Sequence, residues 1–123
     1  MPTAQTTPKE LIERLFETFK SQAREVAEPL LAPDFSFTSP YNDAIDKAAY
    51  FRECWPNAAH LQDLKIERIL IEDNTAFVSY QASTADGIAF RNTEFFTFAE
   101  GQITSIEVYF GAVYHQGVFT RMR

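Results

Sequence analysis

Glu94 is the side chain best placed to do chemistry in this sequence. It stands in the run Asn92-Thr93-Glu94-Phe95-Phe96-Thr97-Phe98, and side chains along a strand alternate between two faces. Asn92, Glu94, Phe96 and Phe98 then share one face. A carboxylate among aromatic rings has lost much of its water, so it must be paired, protonated or used. Desolvation would raise its pKa and make it a general acid or base near neutrality. The other reading is a carboxylate satisfied by Asn92 or by a tyrosine, holding the shape of a cavity.

Tyr41 and Asp43 follow in a segment after Ser39-Pro40 that reads as a loop. Loops on a rigid scaffold carry sites, so Tyr41 could assist from a rim and Asp43 could reach inward as a base. Asp43 also suits a turn or a helix cap. His60 could be a base or an exposed loop residue, and His115 reads as structural or at an interface. Two His and one Cys without ligand spacing offer no metal site. Cys54 has no His or Lys beside it and reads as an inert thiol. There is no glycine-rich phosphate loop and no GxSxG elbow. No cofactor is called for.

The elements that must position these groups can be read in order. Thr7-Pro8-Lys9-Glu10 is a helix start with a capping box, and Leu11, Leu15, Phe16 and Phe19 recur at helical spacing to about Gln22. A second short helix spans Arg24 to Leu31, with Pro29 inside it and Pro33-Asp34 at its end. Phe35 to Ser39 alternates as a short strand stopped by Pro40. Asp46 caps a third helix, Lys47 to Trp55, with Ala48, Phe51 and Trp55 on its apolar side and Pro56 closing it. Strands follow at Leu64 to Glu72, Ala76 to Thr84, Ile88 to Ala99 and Gln102 to Phe110. Asp73-Asn74, Asp86-Gly87 and Glu100-Gly101 mark the turns. Helices first and antiparallel strands afterwards predict an α+β domain over 8–123, behind a flexible lead at 1–7.

Composition sets further bounds. Aromatic residues make up 15% of the chain, including 12 Phe, more than a minimal core needs. That points to an apolar cavity or a buried interface, with a Phe-rich core as the plainer alternative. Phe16, Ser39, Trp55 and Asn92 are expected to line the cavity, together with Phe96, Ile106, Val108 and Phe110. A net charge of -6 with scattered Lys and Arg argues against nucleic acid and anionic membrane surfaces. No apolar run approaches the ~20 residues of a membrane span. MPTAQTTP lacks the features of a signal peptide, and the lone cysteine fits a reducing compartment. The cytoplasm is the expected location.

Two further stretches carry a resemblance. The segment Leu30-Leu31-Ala32-Pro33-Asp34-Phe35 leads into Ser39-Pro40, and the chain closes with FFTFAEGQITSIEVYFG. This order, from about Pro8 to Gly111, resembles the nuclear transport factor 2-like superfamily, within it the SnoaL-like (polyketide cyclase-like) and ketosteroid isomerase-like proteins. The resemblance implies a cone in which a curved mixed sheet packs on three helices around a pocket, commonly as a homodimer through the sheets. A ketosteroid isomerase needs a carboxylate base before the loop proline, a first-helix tyrosine and a protonated strand acid. Here Ser39 and Leu15 stand at the first two positions, and only Glu94 matches, so steroid isomerisation is rejected. A limonene epoxide hydrolase-like set of Arg91, Glu94 and Glu107 fails on parity. Arg91 and Glu107 are out of phase with the face that carries Glu94.

The expected function is binding of a small apolar or amphipathic molecule, with acid/base isomerisation, cyclisation, dehydration or hydrolysis through Glu94. The alternative is a non-catalytic ligand-binding or protein-interaction module.

Overall fold

The computed structural model describes residues 6–122; positions 1–5 of the expected lead over 1–7 lie outside the described residues. Helix α1 spans Pro8–Ser21. Thr7 caps it by accepting the Glu10 amide at 3.2 Å. The Thr7 hydroxyl also donates to Glu10 Oε1 at 3.1 Å, so the Glu10 carboxylate returns to the cap through the hydroxyl. Leu11, Ile12, Leu15 and Phe16 are buried. Helix α2, Arg24–Ala27, passes into a 3-10 turn, Glu28–Leu30, because Pro29 has no N–H to continue the α pattern.

Strand β1, Leu31–Ser39, starts earlier than Phe35. Leu31 and Ala32 are already buried, while Pro33 and Asp34 are exposed in a stretch where the pairing of β1 is interrupted, which suits a residue with no ladder donor. The expected loop at Tyr41 to Asp43 is partly strand: β2, Asn42–Asp46, folds back on β1. Asp46 then caps α3, Lys47–Glu53, through the Ala49 amide at 2.9 Å. This helix is shorter than expected. It buries Ala49, Tyr50 and Phe51 and leaves Ala48 exposed. Trp55–His60 continues as a 3-10 segment, and the Trp55 indole donates to Thr18 Oγ1 at 3.2 Å. That bond ties the segment to α1.

The sheet is completed by β3, Leu61–Glu72, β4, Thr75–Thr84, β5, Ile88–Ala99, β6, Gln102–His115, and β7, Val118–Met122. Its order is β2-β1-β6-β5-β4-β3, with β7 also on β6. The β1–β6 pair is parallel and the other pairs are antiparallel. Neither β7 nor the length of β6 was anticipated. The turn at Glu100 and Gly101 takes positive φ at both residues, 52° and 77°, as a two-residue hairpin requires.

Bulges curve this sheet. Phe90 pairs with Val113 and Asn92 with Phe110, so Gly111 and Ala112 together oppose Arg91. A Cβ on Gly111 would lie 2.2 Å from the Arg91 carbonyl oxygen, which only glycine tolerates. Lower in the hairpin, Thr97 pairs with Ser105 and Phe98 with Ile103. The extra residue, Thr104, changes the parity, so Ile103 and Ile106 are both buried though three apart. Thr97 Oγ1 bonds both the Thr104 and Ser105 hydroxyls at 2.6 Å. Each bulge bends its strand and adds twist.

Candidate active site in the sheet cavity

The chemistry gathers on two neighbouring strands. On β4, Ala76, Val78, Tyr80 and Ala82 alternate inward; on β5, Asn92, Glu94, Phe96 and Phe98 do so. Tyr80 pairs with Asn92, and Val78 with Glu94. Tyr80 Oη donates to Glu94 Oε2 at 2.7 Å, and Asn92 Nδ2 donates to Tyr80 Oη at 3.0 Å. Among the described residues no hydrogen bond is made to the other carboxyl oxygen of Glu94. Asn92 Oδ1 is buried and has no partner among the described residues.

Glu94 is only 5% exposed. Burial pushes its carboxyl up to about 7, and the Tyr80 hydrogen bond opposes that rise by favouring the charged form. At neutral pH both protonation states are therefore populated, the condition under which one group serves as acid and as base. Tyr50 lies under the same influence: burial first and the charge of Glu94 second hold its phenol well above the ordinary range. Its ring packs against Phe37 at 4.9 Å and Phe35 at 5.2 Å.

These groups face a cavity of about 380 Å³, within the size range of small-molecule sites. Tyr80, Asn92 and Glu94 supply its polar wall, and Phe37, Phe90, Val108 and Phe110 are among its apolar lining. At the rim, Tyr41 is 78% exposed and meets Phe110 edge-on at 5.5 Å. Asn42 Oδ1 accepts from Ser39 Oγ at 3.1 Å and from Cys54 Sγ at 3.5 Å. Burial, helped by Glu53, raises the Cys54 thiol to about 11, which keeps it protonated.

A family model described as SnoaL-like domain matches residues 12–106. The chain belongs to the SnoaL-like family. Solved structures share its fold. An NTF2-like protein of unknown function from Cytophaga hutchinsonii is 18% identical at a TM-score of 0.72, over 89% of this chain and 94% of that one. A Sinorhizobium meliloti protein provisionally assigned as a polyketide cyclase is also 18% identical, at 0.72, over 84% and 95%. A Kribbella flavida protein provisionally assigned as a ketosteroid isomerase is 22% identical at 0.70, over 85% and 78%. Identities this low carry the fold alone. No protein of curated function matches the sequence.

In this SnoaL-like domain the cavity brings together Glu94, Asn92, Tyr41, Ser39, Trp55, Val108 and Phe110. Four residues expected at the site lie elsewhere. Asp43 is exposed on β2, one position out of phase with the cavity-lining Asn42. Phe96 and Ile106 are sealed in the core behind the wall, where the aromatic face continues past the end of the cavity. Phe16 packs edge-on to Tyr80 at 5.1 Å and supports it from behind. Arg91 and Glu107 do not join Glu94: Arg91 pairs with Glu67 at 2.9 Å on the outer face, and Glu107 accepts from Tyr109 at 2.8 Å.

The main residue that sequence reasoning missed is Tyr80. Its signal was the alternation Ala76, Val78, Tyr80, Ala82, which marks it as inward-facing. The Asp86-Gly87 turn then sets it against Asn92. Tyr50 had no comparable signal on so short a helix. Among the described residues no group of three His, Cys, Asp or Glu could hold a metal ion, and no helix is long and apolar enough to cross a membrane.

Proposed function

We propose that this SnoaL-like domain binds a small apolar or amphipathic molecule in the sheet cavity and moves a proton to or from it with Glu94. The observation that supports this reading is a carboxyl poised near neutrality in the wall of the cavity, with one oxygen held by Tyr80 and the other left to an occupant. Tyr80 fixes the orientation of the acid, and Tyr41 covers the ligand from the rim. The reaction class is acid/base isomerisation, cyclisation, dehydration or hydrolysis. Steroid isomerisation is outside the proposal, because Ser39 is occupied by Asn42 and Leu15 is buried in the core. Asp43 has no part in it.

One observation favours a second reading, ligand binding without turnover. The polar trio Asn92, Tyr80 and Glu94 comes from a single wall and is bonded within itself, as a structural network would be. Leu70, Phe77 and Tyr109 are exposed, and the Phe77 ring packs at a tilt against Phe95 at 4.7 Å. This apolar outer face supports a homodimer through the sheets. The free Cys54 fits a reducing cytoplasm.

The test pairs native mass spectrometry for co-purified ligand with turnover assays on the wild type and Glu94→Gln. Loss of turnover with retained ligand supports acid/base catalysis. Equal turnover in the variant removes Glu94 from the mechanism.

A further inference from the structure

A second space of about 630 Å³ lies between α1 and the edge strand β3. Phe19, Ala58, Leu61 and Leu64 line both spaces, so a single layer of side chains separates them. Beyond that layer the second space is bordered by the buried Phe16 and the partly buried Ile66. Its existence has a local cause. The ladder between β3 and β4 is irregular at Leu61/Asp63 and again at Ile66/Arg68, and bulges bend the strand that carries them. Leu61, Leu64 and Ile66 are left only partly buried.

We infer that a ligand displaces this thin layer and joins the two spaces into one binding channel, and that the ligand is an uncharged, chain-like apolar molecule too long for the Glu94 cavity alone. This rests on the small-molecule reading above and extends it to the shape of the ligand. The head of the molecule sits against Glu94. The tail passes Phe19 and Leu64 and lies along α1. The thinness of that layer, four side chains common to both linings, argues that one ligand spans both spaces. Glu13, Glu17 and Asp63 stand along the outer space with a single Lys20, a balance that disfavours a negatively charged tail. Phe19 and Ala58 are then length-determining residues: the Phe19 ring obstructs the passage, and the Ala58 methyl obstructs it least.

Displacement of N-phenyl-1-naphthylamine fluorescence by linear alkan-1-ols of six to twelve carbons tests this. In the wild type, affinity is expected to rise with each methylene through the full series. Ala58→Trp fills the passage, so hexanol should bind within about twofold of wild type while dodecanol loses tenfold or more. Phe19→Ala widens it and should leave dodecanol at least as tight as in the wild type. Circular dichroism confirms that both variants are folded, and Phe19→Ala carries the comparison if Ala58→Trp is not. If short and long alcohols change in parallel in both variants, the spaces are separate and the channel is wrong. If neither the fluorophore nor any alcohol binds the wild type, the small-molecule reading itself fails.

Discussion

Tyr80 and Glu94 are not register partners, yet they share the shortest polar contact in the cavity wall. Tyr80 lies opposite Asn92 and Glu94 opposite Val78, and the Tyr80 hydroxyl crosses diagonally to Glu94 Oε2 at 2.7 Å. Diagonal neighbours on a sheet are within reach of long side chains. The hydroxyl accepts from Asn92 and donates to Glu94, so the chain of bonds runs toward the carboxylate and favours its charged form. Burial works in the opposite direction, and burial dominates.

This balance makes stability depend on pH. The folded-state pKa of Glu94, about 7, lies above the ordinary carboxyl value near 4.3 of an unfolded chain. Between those values the native state holds a proton that the unfolded state has released. The contribution of the protonated acid is fully present below the unfolded value and is lost as pH rises toward 7. The loss is on the order of 3 kcal/mol. Urea midpoints for the wild type should fall from pH 4.5 to pH 8, and those of Glu94→Gln should fall markedly less. Parallel curves for the two proteins would place the source elsewhere.

Tyr80→Phe removes the donor to Glu94 and the acceptor of Asn92 together. The carboxyl should titrate at higher pH than in the wild type, as followed by carbon-detected NMR of the Glu94 side chain. Stability should drop by about 1–3 kcal/mol, because buried polar atoms lose their partners. A midpoint that stays put or moves down would mean that this hydroxyl does not donate to the acid.

Among the described residues, the buried Asn92 Oδ1 has no partner and Asn92 Nδ2 donates only to Tyr80 Oη. Asn92→Leu removes an orphan acceptor along with one hydrogen bond. Its cost should be smaller than that of Tyr80→Phe, within about 1 kcal/mol of wild type. Thermal unfolding at pH 5, where Glu94 is neutral, gives the cleanest comparison. A larger loss than in Tyr80→Phe would show that the oxygen has a partner in solution.

Gly111 and Gly101 make a matched pair. An added methyl at Gly111 meets the Arg91 carbonyl oxygen at 2.2 Å, whereas at Gly101 it meets nothing within 4 Å. Gly101→Ala should cost about 1 kcal/mol, from its positive φ alone. Gly111→Ala must push two strands apart and should cost roughly 1–3 kcal/mol more, in the manner of overpacking. Denaturant titrations of both variants decide this, and equal losses would mean that the bulge opens freely.

Much of the fold could be read from the residue pattern, and particular residues show why. Asn92, Glu94, Phe96 and Phe98 alternate without interruption, so parity alone located the buried face and its acid. Thr7 and Asp46 were readable as caps because a short polar side chain just before a helix satisfies a specific amide. The bulge opposite Arg91 was not readable, since a glycine in a strand is compatible with several backbone paths. Strand β7 escaped because Val118, Phe119 and Met122 are all exposed and show no alternation. Asp43 was misplaced for a related reason: Asn42 and Asp43 belong to a strand, and strand parity turns that carboxylate outward. The depth of the cavity depends on curvature, which comes from bulges rather than from any residue type. For that reason Phe96 and Ile106 were expected in its lining and instead lie in the core.

The chain contains one tryptophan, and it lines the Glu94 cavity with its indole N–H anchored to Thr18 on α1. The protein therefore carries a built-in optical probe at the spot where a guest molecule would arrive. Its emission can be followed label-free, and quenching or a spectral shift on titration with any compound reports filling of that hollow directly.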